Sequence, residues 1–184
     1  AYFWETPPCH DRSETRKWHG VTAVGTKVYA APDYAPKLLV VDTVTDTAYG
    51  IDTEGVMQSV AWGSMWFGIA AVGTKVYAAP DYAPKLLAVD TATDSANGID
   101  TEGVYSGCTA FHPECNKDRK WNGITAVGAK VCAAPSNGRK LLVVDTVTDT
   151  AYGIDTEGVY GRMGGIDRGR GHRRESTRVF PHCH

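Results

Sequence analysis

A chain of 184 residues with 42% hydrophobic residues and a formal charge of −2 is long enough to bury one substantial core, and no run of the ~18 apolar residues needed for a membrane-spanning helix occurs in it. The charge is divided: beyond Gly161, six arginines (162, 168, 170, 173, 174 and 178) stand against Asp167 and Glu175, so the tail carries +4 and the rest −6. An acidic body without a basic face or an aromatic platform argues against a nucleic-acid-binding module, and the Arg/Gly-rich tail reads as an extension that is flexible or held on the acidic surface.

Residues 1–17 form a polar leader containing Cys9 and His10. Its first residue is Ala, which fits removal of a targeting segment. From Trp18 onward the chain repeats itself. "AVGTKVYAAPDYAPKLL" stands at 23–39 and again, unchanged, at 71–87, and "KLLVVDTVTDTAYGIDTEGV" stands at 37–56 and again at 140–159. Each unit opens on Trp-x-Gly, at Trp18, Trp66 and Trp121, and closes on Asp-Thr-Glu-Gly-Val, at 52–56, 100–104 and 155–159. The tryptophans are 48 and 55 residues apart, a period that suits β-propeller blades of ~40–50 residues better than the shorter helical repeats.

Within a unit the pattern predicts four short strands, at 21–24, 28–31, 38–43 and 48–52. Gly25-Thr26 makes the first turn. Pro32 to Pro36 breaks the second strand, because proline cannot donate to a ladder. Leu38, Leu39, Val40 and Val41 do not alternate with polar residues, so both faces of the third strand are expected to be buried. Thr45-Asp46 makes the last turn, and Gly50 is expected to mark a bulge. The most apolar segment, 60–73, carries Trp62, Trp66 and Phe67. It reads as packing between units, with a lipid-contacting loop as the alternative.

Cys132 stands where the other units have Tyr29 and Tyr77, and reads as a buried free thiol. Cys9, Cys108, Cys115 and Cys183 lie outside the repeats. They fit either disulfides, with three pairings open, or a zinc site shared with His10, His112, His182 or His184. Disulfides in an oxidising compartment are the favoured reading. Asp42, Asp46, Asp52 and Glu54 recur in every unit. Calcium binding and glycoside hydrolysis both use carboxylates, but an active site is a unique constellation, so turn chemistry explains them better. Ser106, His112 and Glu114 have the residue types of a triad, but they fall in one linker with nothing to position them. None of the common nucleophile, zinc-protease or phosphate-loop motifs occurs.

The stretch "GVTAVGTKVYAAPDYAPKLLVVDTVTDT" resembles a blade of the YVTN/kelch-like β-propellers. Gly20, Ala23, Val24, Gly25, Lys27, Val28, Tyr29, Val40, Val41, Asp42, Thr43 and Thr45 carry the likeness. It is also similar to multi-copy repeat proteins of dinoflagellates and related algae. The resemblance covers 18–160 and implies an all-β fold, a partial, three-blade β-propeller of four-stranded antiparallel blades. It transfers no catalytic residue.

A closed ring needs ~4–8 blades, so three blades leave open sides that call for a partner. The expectation is therefore a structural or protein-binding subunit and not an enzyme, without cofactor or metal. Trp18, Trp62, Trp66, Phe67 and Trp121 are its candidate contact residues. Its partners would be other subunits of a large complex, with contact to a peripheral membrane complex among the options, or a second copy closing a six-blade ring. The algal resemblance implies a plastid, with the thylakoid lumen and a photosynthetic assembly as the setting; another organelle lumen or secretion is the broader expectation. The alternative function is a fragment of an enzymatic or calcium- or sugar-binding propeller.

Overall fold

The computed structural model describes residues 16–57, 64–105 and 119–159. They form twelve strands in three separate four-stranded sheets, one per repeat unit. Unit 1 contains β1 (Trp18–Val24), β2 (Lys27–Pro32), β3 (Lys37–Asp42) and β4 (Thr47–Asp52). Unit 2 contains β5 (Trp66–Val72), β6 (Lys75–Pro80), β7 (Lys85–Asp90) and β8 (Ser95–Asp100). Unit 3 contains β9 (Trp121–Val127), β10 (Lys130–Pro135), β11 (Lys140–Asp145) and β12 (Thr150–Asp155). Every sheet is an antiparallel meander in sequence order.

The strand ends follow from side-chain chemistry. Asp42 Oδ1 accepts the Val44 amide at 2.9 Å, and Asp90 and Asp145 accept those of Ala92 and Val147 at the same distance. Asp52, Asp100 and Asp155 likewise accept the amides of Glu54, Glu102 and Glu157. These recurring carboxylates are turn acceptors, as their periodicity implies. Asp46, Asp94 and Asp149 hold left-handed backbone, φ 51–53°, a conformation that Asp tolerates better than most residues.

The first strand starts three residues before its expected position because of a bulge. In unit 1 the register shifts between His19 and Val21, around Gly20, so Trp18 still pairs with Pro32. Gly20, Gly68 and Gly123 have φ of +75°, +88° and +79°. A Cβ on Gly20 would stand 3.0 Å from Gly68 Cα, and one on Gly68 the same distance from Gly123 Cα. The Trp-x-Gly glycine therefore permits both the bulge and the close approach of β1, β5 and β9. Gly50 does not mark a bulge. The β3–β4 register is unbroken from Lys37↔Asp52 to Asp42↔Thr47, and a Cβ at Gly50 would stand 2.9 Å from Lys37 Cβ and Cδ. Its missing side chain makes room for the lysine stem.

The cores lie between sheets. The first joins Tyr29, Leu38, Val40, Ile51 and Val56 of unit 1 to Trp66, Ile69, Val76, Leu87 and Val89 of unit 2. The second joins Tyr77, Leu86, Ile99 and Val104 of unit 2 to Trp121, Val131, Leu142 and Val144 of unit 3. The middle unit thus buries both faces of its third strand: Leu86, Leu87, Ala88 and Val89 are all buried.

Two expectations about cysteine are corrected. No disulfide is present among the described residues, whose one cysteine, Cys132, is a free thiol. Cys9, Cys108, Cys115 and Cys183 lie outside the described residues. The units are joined by packed sheet faces, and Cys132 pairs with Thr125 and Val143 on its neighbouring strands. Cys132 is also only half-buried rather than buried: in units 1 and 2 its position is covered by the following sheet, and no sheet follows unit 3 among the described residues.

Candidate functional site

Each unit presents a forward face to the next unit and a rear face to the one before. The contact has three parts. The first is the tryptophan on the rear face. Its indole Nε1 donates to the carbonyl of the lysine that opens the third strand of its own unit: Trp18 to Lys37 and Trp66 to Lys85 at 2.9 Å, Trp121 to Lys140 at 3.0 Å. This bond satisfies the polar end of the ring, so the remainder can be buried. Trp66 and Trp121 are wholly buried under the preceding unit, whereas Trp18 is 40% exposed.

The second part is the valine of Asp-Thr-Glu-Gly-Val on the forward face. Val56 Cγ1 lies 2.9 Å from where a Cβ would stand on Gly98, and Val104 Cγ1 lies 2.8 Å from that point on Gly153. Each valine therefore enters a notch that exists because the fourth strand of the next unit carries glycine. The following residue adds to it: Met57 packs against the first core, and Tyr105 meets Trp121 edge-on at 5.8 Å between ring centres. Val56 and Val104 are 4% and 6% exposed, and Val159 is 83% exposed.

The third part is a polar rim. Lys27 Nζ donates to Tyr49 Oη, which donates to Asp94 of the next unit at 3.0 Å. Lys75 Nζ lies 3.6 Å from Asp149 of the next unit. Lys27 is raised above its usual pKa, chiefly by the bond to Tyr49, and Lys130 is raised by the same bond to Tyr152.

Among the described residues, the rear face of unit 1 and the forward face of unit 3 lack these neighbours. Trp18, Ala35, Pro36, Lys37, Leu39 and Gly50 are among the residues that line an open cavity of about 380 Å³ on unit 1. Val21, at the rear-face position of the buried Ile69, is 71% exposed. On unit 3, Cys132 is half-buried, and Ile154 and Val159 are exposed.

A second cluster lies where the segment leading into each sheet meets the loop after the second strand. Backbone bonds there run from unit to unit: Asp33 donates to Lys17 O and accepts from Met65, and Asp81 donates to Met65 O and accepts from Lys120. Asp33 is fully buried, with Arg16 Nε 3.3 Å from its Oδ2, while its Oδ1 has no hydrogen-bond partner among the described residues. Asp81 is 6% exposed. Burial, opposed by the nearby Arg119 and reinforced by the Asp33 charge, pushes its carboxyl up to about 6. His19 stacks on Phe67 of the next unit at 3.4 Å between ring centres.

Of the residues singled out from sequence, Trp18 alone among the tryptophans is placed with substantial exposure in the described region. Trp66 and Trp121 serve contacts inside the chain, Phe67 is half-buried against His19, and Trp62 lies outside the described residues. Asp33 and Asp81 were not singled out. Their signal was an acid between two prolines, present in units 1 and 2 and replaced by Ser136 in unit 3. No group of three or more potential metal ligands occurs among the described residues, and no helix there is long and apolar enough to cross a membrane.

No protein-family model matches the chain, and no curated protein does. Solved structures do. The chain is similar to Kuenenia stuttgartiensis hydrazine synthase at 15% identity and a TM-score of 0.54, over 85% of this chain and 40% of that one. It also aligns with a nidogen/laminin complex (7% identity, TM-score 0.48, 72% and 44% covered) and with Myxococcus xanthus glutaminyl cyclase (13%, 0.45, 74% and 51%). The chain thus spans less than two thirds of each of these matched chains.

Proposed function

We propose that the chain is a three-unit arc of a β-propeller and works as a protein-binding element, its two open faces covered by further sheets of the same kind. The observation that carries this is one set of positions in two states. The rear-face tryptophan and the forward-face valine are buried wherever the described residues supply a neighbouring unit, and exposed at Trp18 and Val159, where they supply none. Exposed apolar surface of this kind marks contact sites, and end units of repeat arrays need a cap or a partner. Placement in a photosynthetic assembly of a plastid lumen rests on the algal resemblance alone.

The test is to supply the missing neighbour. A second copy of residues 105–159 inserted after Val159 keeps the natural linker and offers Val159 the same notch that Val104 occupies. Burying one more valine and its surroundings is worth roughly 2–3 kcal/mol, which for a chain of this size means a midpoint of thermal unfolding higher by about 4–10 °C. An unchanged or lower midpoint contradicts the reading.

A second reading is that the chain is part of a ligand-binding or enzymatic propeller. The buried pair Asp33 and Asp81 favours it, since a strongly perturbed carboxylate near cationic side chains is a frequent feature of such sites. The likeness to a synthase of more than twice the matched length is compatible with it at the level of fold. Loss of a ligand-dependent activity in Asp81→Asn, within a chain that keeps its stability, would move the function to that cluster.

A further inference from the structure

Resting on the arc reading, the inference names the occupant of one open face. We infer that the cavity on the rear face of unit 1 receives the Asp-Thr-Glu-Gly-Val turn of unit 3 from a second copy of this chain, head to tail. The contact already exists once inside the molecule. Gly-Ile-Asp-Thr-Glu-Gly-Val-Tyr stands at 98–105 and, unchanged, at 153–160; the run Lys140 to Gly153, which includes the glycine notch filled by Val104, is identical to Lys37 to Gly50. The knob of unit 3 and the notch of unit 1 therefore repeat, letter for letter, a pair seen packed between units 2 and 3. In a pair of copies the contact forms twice, and each unsatisfied face meets its complement.

The polar rim agrees. Lys130 Nζ donates to Tyr152 Oη at 3.0 Å, the same preformed pair that Lys27 and Tyr49 offer to Asp94. Unit 1 of a second copy supplies Asp46, which has the left-handed backbone of Asp94 and Asp149. Cationic and hydroxyl donors thus face a carboxylate across the contact. One position departs from the internal pattern. Tyr29 and Tyr77 are buried in the two internal contacts, whereas unit 3 has the smaller Cys132. The contact between copies is therefore short of one ring and weaker than those inside the chain, which makes association dependent on concentration.

The experiment measures self-association of the full chain by sedimentation over the micromolar range. The wild type is expected to associate reversibly into pairs. Val159→Arg and Ala48→Arg, both at exposed positions, should each weaken association by about a hundredfold, because a buried unpaired charge replaces an apolar contact. Mixing these two variants should recover hetero-pairs, since one contact in the mixture has an intact knob and an intact notch; a symmetric face-to-face contact recovers nothing. Cys132→Tyr should tighten association by about tenfold by restoring the ring. A wild type that stays monomeric, variants that associate like the wild type, a mixture that recovers no pairs, or no gain from Cys132→Tyr would each overturn the inference. The four-unit chain separates this failure from that of the arc: if it is stabilised while the natural chain is monomeric, the arc stands and the second copy is the wrong occupant. If neither responds, both fall.

Discussion

At the scale of single residues, identical side chains carry different energies according to their place in the array. Trp66 is wholly buried and Trp18 is 40% exposed, although both make the same indole bond. Trp66→Ala should cost about 3–5 kcal/mol, and Trp18→Ala about 1 kcal/mol in the dilute chain, because much of its ring is already in water. Chemical unfolding of the two variants tests this; equal losses would contradict it. Asp81 supplies a second residue-scale expectation. Its carboxyl titrates near 6 in the folded chain and near ~3.9 when unfolded. The folded state therefore holds the extra proton between those values, and the contribution of Asp81 to stability declines as pH rises from about 4 to about 6 and is flat above. Asp81→Asn removes that decline, so its stability relative to the wild type should improve across this window by up to about 2–3 kcal/mol. A constant difference between the two from pH 4 to pH 7 would contradict the assignment.

At the scale of elements, the strands are legible because their cause is local. Val and Thr runs, Gly25-Thr26 and the Asp turns act within a few residues, and the letter-for-letter repeats make each unit a control for the others. What was not legible depends on neighbouring sheets. The extra residues of β1 come from a bulge at Gly20, whose cause is the 3.0 Å approach of Gly68 in another sheet. Gly50 reads as a bulge in a single strand, and its real reason is a lysine stem on the adjacent strand, joined in units 2 and 3 by a valine from the preceding sheet. Asp33 and Asp81 sit in a proline-bounded loop that looks like plain turn chemistry until the lead-in segments close over it. The same glycines yield a prediction. Gly98→Ala puts a Cβ 2.7 Å from Lys85 Cδ and 2.9 Å from Val56 Cγ1. The lysine end can move aside, but the valine is held in a packed contact, so a loss of about 1–3 kcal/mol is expected from overpacking. Gly50→Ala meets Lys37 Cβ and Cδ, both at 2.9 Å, and no valine. Thermal unfolding with Val56→Ala added tests the notch: trimming the valine should relieve part of the loss in Gly98→Ala and none of that in Gly50→Ala, and equal relief in both would contradict it.

At the scale of the whole molecule, three sheets use one contact twice and leave its two halves open. Interior units gain from both neighbours and end units from one, the behaviour expected of a repeat array whose stability is a sum over interfaces. The claim that the open faces belong under further units of the same kind is tested most directly at Cys132, the free thiol on the forward face of unit 3. Its alkylation rate is measured by mass spectrometry of the Cys132 peptide in the dilute natural chain and in the four-unit chain, with the added copy's three cysteines, the repeats of Cys108, Cys115 and Cys132, changed to Ser. Cover by the next sheet should slow the reaction by about tenfold or more, since the thiol then reacts only when the contact opens. Equal rates in the two chains would contradict the account.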